Sequence, residues 1–492
     1  MNKHLLMFRR YRGAARTAAV AIVLGLSAGS AAPAQAISPP AVDDAALGPA
    51  LAINARGGPP DETEQRSVCA EPMLNGGAPR DAPLSQRILD LESAWPFSRG
   101  AGQKVAVIDT GVNRHPRLPA LQAGGDFVSD TDGTVDCDAH GTLVAGIIAA
   151  RPSPDDAFSG VAPDAEILAI RQLSTAYEPK DRQRSEDPGT ITRQGYGTVL
   201  TLAAAVVRAV DMGATVINIS EVACVPAGVD TADGPLGAAV KYAYDRNVVV
   251  VAAAGNTLQG TACETQNERP GWRGVSTVVT PAWFPYVLSV ASVEADGTAS
   301  PFSVNGPWVG VAAPGREIVS LDSKPGAVGV VDAIQTAEGS SSIDGTSFSS
   351  AYVSGLAALV RSRFPELSAQ QVIDRIVRTA QAPGAGRNDR VGHGLIDPLA
   401  ALTAQLPERS IGAGADTPRR IAGPTPAPYV DPAPRRVATI GSLVLLALLG
   451  IGYAASIPFR RGGVSVDPVE DDDPPNSPND NGPDGLATGR GL

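Results

Sequence analysis

Three short segments carry side chains that can do chemistry together. Val107-Ile108-Asp109-Thr110-Gly111-Val112 puts a carboxylate at the end of an apolar run. His140-Gly141-Thr142-Leu143-Val144-Ala145-Gly146 puts an imidazole at the start of a small-residue helix. Gly345-Thr346-Ser347-Phe348-Ser349-Ser350-Ala351 puts a hydroxyl at the start of a longer one. A serine hydroxyl is a poor nucleophile until a neighbouring base removes its proton. That base needs its other ring nitrogen held by a carboxylate. Singly, each residue has a plain structural reading: a turn-forming aspartate, a histidine closing a helix end, a serine N-cap. Jointly, in the order Asp109, His140, Ser347, they predict a catalytic triad. A helix start also suits Ser347, because unpaired N–H groups and the helix dipole favour an oxyanion beside it.

The elements that must position these residues are legible as apolar periodicity. Residues 105–108, 167–170, 215–219, 248–253 and 287–290 read as buried strands. Residues 141–150, 198–212, 236–246, 347–362 and 368–380 read as helices. This alternation predicts an α/β fold, a parallel sheet with helices on both faces and right-handed crossovers. Residues 174–195 are polar and are expected to form a solvated surface loop open to nicking.

The flanks have a different character. Lys3, Arg9, Arg10, Arg12 and Arg16 precede an apolar run and an Ala34-Gln35-Ala36 site, so residues 1–36 read as a cleaved signal peptide. Residues 37–85 read as an extended N-terminal arm, 86–406 as the catalytic domain and 407–436 as a Pro-rich linker. Residues 437–457 are uncharged and long enough to cross a bilayer as a single transmembrane helix. Residues 458–492 form an acidic tail. With a signal peptide setting the orientation, the catalytic domain lies outside the cell membrane and the tail in the cytoplasm.

The four cysteines, Cys69, Cys137, Cys224 and Cys263, are an even number in an exported chain and imply disulfides. Three pairings are possible. Cys69–Cys137 with Cys224–Cys263 is the simplest, since neither loop encloses the other. None has C-x-x-C spacing, which argues against zinc. The chain has 492 residues, 43% hydrophobic, and a net charge of −11 concentrated toward its C-terminal end. No basic patch suits nucleic acid.

These motifs resemble the three signatures of the subtilisin-like (S8) serine proteases, over residues 86–405. The resemblance implies that Asn256, in Ala252-Ala253-Ala254-Gly255-Asn256, donates to the oxyanion together with the Ser347 N–H. The sedolisins also place serine in a Gly-Thr-Ser turn but use Glu and Asp partners, and the His140 motif argues against them. The order of segments further resembles the mycosins, membrane-anchored members serving type VII secretion systems. That implies protein substrates of the secretion system, components of its membrane complex and the lipid bilayer as partners, and a scaffold role as an alternative to cleavage. Ser220, Glu221 and Val222, within 216–224, resemble the substrate-binding strand. Many subtilisins have Leu-Gly where Glu221-Val222 stands, so Val222 is expected to narrow the pocket and the substrate range. Many also have Pro where Ala351 stands, which lies inside a helix away from the chemistry.

No cofactor is expected. Asp130, Asp132, Asp136 and Asp138 could hold calcium, but a solvated acidic loop is the preferred reading. His115, in an Asn-Arg-His-Pro turn, and His393, in a Gly-His-Gly turn, are not expected to be catalytic.

Overall fold

The apolar runs become strands because both of their faces are covered. A computed structural model of the chain describes residues 37–181, 195–259, 261, 263–336, 339–406 and 433–456. Seven strands make the main sheet. They are β1 Lys104–Asp109, β2 Leu121–Asp126, β3 Glu166–Arg171, β4 Val216–Ile219, β5 Val249–Ala253, β6 Val287–Val293 and β7 Val309–Pro314. Their spatial order is β7-β6-β5-β4-β1-β3-β2, and every pairing is parallel. The chain leaves β1 to build β2 and β3 on one side, then crosses to build β4 to β7 on the other. The crevice at the carboxyl ends beside β1 is therefore where a doubly wound sheet receives its ligand.

Five main helices cover the sheet: α1 His140–Ala149, α2 Val199–Asp211, α3 Gly234–Asp245, α4 Thr346–Arg363 and α5 Ala369–Thr379. Leu143, Ile147, Leu356 and Val360 of α1 and α4 share one apolar core with Val105 and Val107 of β1. Leu202, Val206, Leu236 and Val240 of α2 and α3 form a second core with Ala106 and Ile108. Alternate residues of β1 thus serve opposite faces. Helix α4 is buried over nearly its whole length, and Tyr352 on it meets Ser85 at 2.7 Å between hydroxyls.

The structure corrects the reading of the arm as merely extended. Gly48–Arg56 is a helix with Pro at its first turn, closed by Gly57 at φ +73°. It buries Ala50 and Ile53 in the same core as α2 and α3. Small apolar residues gave that stretch a weak periodic signal, and tertiary burial supplied the rest. Two short arm strands follow. Thr63–Gln65 pairs with Tyr177–Pro179, and Pro72–Met73 adds to the hairpin Ala333–Thr336/Gly339–Ser342. The first pairing corrects the start of the surface-loop reading: Ser174 and Ala176 are buried under the arm. The rest of that loop, 182–194, lies outside the described residues.

The cysteines pair as Cys69–Cys137 and Cys224–Cys263. Cys137 lies three residues before His140, and Cys224 two residues after Val222, so each bridge braces a segment of the site.

Leu121–Asp126 and Val309–Pro314 are strands that the apolar-run criterion did not reveal. The first carries Gly124-Gly125 and is half exposed at the sheet edge, so it has no continuous apolar face.

Residues 408–492 form a separate unit, described over the helix Ala433–Ser456. Among the described residues no helix is long and apolar enough to cross a membrane. The expected span 437–457 falls on this helix, whose side chains are described over 438–453. At 1.5 Å per residue that stretch covers about 24 Å, against ~30 Å for a hydrocarbon core. The proposed signal peptide 1–36, residues 407–432 and the tail beyond Ser456 lie outside the described residues.

Candidate active site

Asp109 ends β1 and is fully buried. His140 opens α1 immediately after Ala139, which takes the left-handed conformation at φ +68°. The approach of α1 to the end of β1 depends on having no side chain at position 141. A Cβ on Gly141 would come within 2.0 Å of the Gly111 carbonyl oxygen and 3.1 Å of the Asp109 Cβ. This close packing brings His140 Nδ1 to 2.7 Å from Asp109 Oδ1. The same oxygen accepts the Thr110 N–H at 2.7 Å. A carboxylate can only accept, so Nδ1 carries the hydrogen and Nε2 is free to act as a base.

Ser347 is the second residue of α4, and its hydroxyl donates to the Ser220 carbonyl at 3.2 Å. Asn256 follows β5. Its Oδ1 accepts the Thr346 N–H at 3.0 Å and the Thr346 hydroxyl at 2.9 Å. That fixes the carboxamide with its NH2 toward Gly345, one residue from Thr346. His140 also packs against Phe348 with ring centroids 5.2 Å apart. The four residues expected to act together therefore stand on β1, α1, the turn after β5 and the start of α4, all at one edge of the sheet.

Asn218, on β4, was not anticipated. It is fully buried, donates to Ser220 Oγ at 2.7 Å and accepts from Ser354 Oγ at 2.8 Å. It therefore couples the Ser220 segment to α4 by hydrogen bonds in a low-dielectric interior. A polar residue inside the apolar run Val216-Ile217-Asn218-Ile219 was the available signal.

Of the residues expected to bind substrate, Ser220 sets its carbonyl beside Ser347 Oγ and Val222 stands against Gly255. Val222 Cγ2 lies 3.5 Å from where a Cβ on Gly255 would sit, so its methyl occupies the space between the two segments. Glu221 makes an approach that the sequence did not suggest. Its Oε1 lies 3.6 Å from His140 Nδ1, so it addresses the histidine.

The acidic run before His140 is not simply solvated. Asp136 is buried and accepts from Thr110 Oγ1 at 2.8 Å, the Thr142 N–H at 2.9 Å and Thr142 Oγ1 at 2.6 Å. Burial nevertheless raises its pKa to about 7, against those bonds. Asp138 accepts from the Thr175 N–H at 2.8 Å and from the hydroxyls of Ser174 and Thr175. Asp132 holds Thr134, and these carboxylates are spent on protein donors. Asp109, His140 and Glu221 offer atoms within 4.8 Å of one another. The closest two are engaged with each other, which makes the trio an acid–base cluster.

Burial works against a charged His140, but the Asp109 charge and hydrogen bond, then Glu221 and Asp136, outweigh it and raise its pKa. His115 is buried elsewhere: its Nδ1 accepts the Arg117 N–H at 3.1 Å, and burial first, then Arg117, lower its pKa. His393 sits in the turn beside β7, donating its backbone N–H to the Gly310 carbonyl.

A parallel sheet that gathers aspartate, histidine and serine at its carboxyl edge is the arrangement of a subtilisin-class serine peptidase. The Peptidase_S8 subtilase family matches residues 100–394. Mycosin-1 of Mycobacterium tuberculosis is 47% identical over 89% of this chain and 98% of its own length. The solved structure of MycP1, described as a serine protease and an essential component of the type VII (ESX-1) secretion system, is 46% identical. It covers 75% of this chain and 100% of its own, with a TM-score of 0.69. A chain of an intact ESX-5 inner membrane complex is 40% identical over 85% of this chain and 100% of its own, with a TM-score of 0.69. The chain belongs to the subtilase family and, within it, to the mycosins, and it is a serine endopeptidase.

Proposed function

We propose that this chain is a membrane-anchored endopeptidase of a type VII secretion system that cleaves a narrow set of exported proteins. The hydrogen bond between His140 and Asp109, 2.7 Å long, is the observation that carries this reading. Ser347 Oγ turns from the Ser220 carbonyl to Nε2 of His140 and attacks the scissile carbonyl carbon. Nε2 takes the hydroxyl proton and then delivers it to the leaving amine. Asp109 keeps the imidazole in the required tautomer. Asn256 Nδ2 and the Ser347 N–H receive the oxyanion, and the α4 N-terminus favours its charge. Water then repeats the sequence on the acyl-enzyme. The mechanism calls for no cofactor and no calcium.

Val222 supports a narrow pocket, since its side chain stands against Gly255 where a glycine would leave room for a substrate side chain. Likeness to a chain of the ESX-5 inner membrane complex supports a place beside secretion-complex components. The helix Ala433–Ser456, 24 residues long, supports the bilayer anchor. The uncharged run 437–457 would measure about 32 Å at helical rise, close to the thickness of a hydrocarbon core. On this reading the catalytic domain faces outward and the tail inward.

The alternative is a scaffold that stabilises the secretion membrane complex, with cleavage secondary. The folded arm favours it, because it adds surface to the domain without contributing a residue to the triad. Replacing Ser347 with Ala in the chromosome separates the two. Secretion that fails as in a deletion strain supports cleavage as the main role. Secretion that persists while substrates stay uncleaved supports the scaffold.

A further inference from the structure

The second carboxylate beside His140 has no part in the mechanism above. Asp109 and Glu221 both approach Nδ1, at 2.7 Å and 3.6 Å. The first distance is a hydrogen bond. The second is too long for one, so Glu221 acts through its charge. The side chains of His140 and Glu221 are each about one quarter exposed, so water screens their interaction only in part.

Among the described residues, the leading charged neighbours of this pair are acids. Asp109 comes from the end of β1, and Asp136 and Asp138 from the turn before α1. Burial, then the nearby acids Asp109 and Asp138, hold Glu221 above the ordinary carboxylate range, while His140 pulls the other way. The position lies in a segment that also borders the substrate crevice, so a charge there is a departure with a chemical consequence.

We propose that Glu221 is a positioning residue for the histidine: its carboxylate supplies a second negative charge that sets the pH at which His140 can act as a base. The inference rests on the reading of Ser347 and His140 as nucleophile and base. An imidazolium cannot accept the serine proton. A nearby anion favours the imidazolium, so it keeps the resting enzyme inactive to higher pH. Asp109 cannot be removed to test this, because it also selects the tautomer. Glu221 can be, because it makes no hydrogen bond to the ring among the described residues. Asp109 thus supplies both orientation and charge, and Glu221 charge alone.

The test is the rate of phosphonylation of the full-length protein by a fluorophosphonate, measured from pH 5 to pH 10. In this reaction Ser347 Oγ bonds to phosphorus, fluoride leaves and His140 takes the proton, so no natural substrate is needed. Burial holds the Glu221 pKa at about 7, so its charge is present only above that pH. In Glu221→Gln the acid limb moves down by about one pH unit, making the variant roughly tenfold faster between about pH 7 and the wild-type limb, while the two proteins converge toward pH 5. Glu221→Asp retains the wild-type limb. Glu221→Leu repeats the measurement should Gln disturb folding, which a thermal melt reports. A limb in Glu221→Gln and Glu221→Leu that superimposes on wild type overturns the role of Glu221. Labelling that survives Ser347→Ala overturns the nucleophile reading itself, which is a separate result.

Discussion

The side-chain oxygen of Asn256 accepts both the backbone N–H and the hydroxyl of Thr346, at 3.0 and 2.9 Å. The residue just before Ser347 therefore dictates which end of the Asn256 carboxamide faces the crevice. Replacing Asn256 with Ala removes a proposed oxyanion donor, and kcat should fall by about 10²–10³, as loss of one such donor does in subtilisin. Thr346→Val keeps one of the two bonds and should lose less, on the order of tenfold. KM should change little in either case. Steady-state kinetics on a cleavable peptide separates the two constants.

Val222→Gly should widen the crevice opposite Gly255. Peptides with bulky P1 residues, poor substrates of the wild type, should gain about tenfold in kcat/KM, the scale set by one or two methylenes in a pocket. A peptide library profiled with both proteins measures the change. Equal acceptance of many P1 residues by the wild type would end the narrow-pocket reading.

His140 has its pKa raised by Asp109, Glu221 and Asp136 against the opposing effect of burial. The sign follows directly. The protonated ring is the inactive form, and a raised pKa keeps it protonated to higher pH. Activity should fall as pH drops through a value above the ordinary 6.5 of histidine and level off only on the alkaline side. A pH profile of kcat/KM places that limb.

Cys69→Ser with Cys137→Ser should loosen the arm. Closing a loop of this sequence separation, 68 residues, stabilises by at most about 4 kcal/mol. The arm helix keeps its own buried contacts through Ala50 and Ile53, so the loss should appear as earlier thermal unfolding and faster trypsin cleavage within 57–80. Unchanged melting and digestion would show that the bridge holds little.

Much of the fold and of the candidate site was readable beforehand, for a physical reason. Residues 105–108 and 249–253 are apolar throughout because both faces of a parallel sheet are covered. Asp109, His140 and Ser347 stood out because glycines flank them where elements end. Gly124-Gly125 hid an edge strand, and the arm helix has too few large apolar residues to announce itself. The approach of Glu221 to His140 was not legible because a motif does not say which charge lies across the fold from it. Asn218 was passed over because its partner Ser354 is 136 positions away.

The bond between Ser85 and Tyr352 joins positions 267 residues apart, and Asp109 and Ser347 are nearly as distant in sequence. That spacing has a consequence in time. At ribosomal rates of roughly 5–20 residues per second, the proposed nucleophile follows its aspartate by about 12–48 s. Until then the growing chain holds an acid and a base with nothing to activate. The helix that brings Ser347 must also thread between elements made long before it. A chain laid out in this order stays chemically silent through most of its synthesis and becomes competent only when its middle has closed around the helix that carries Ser347.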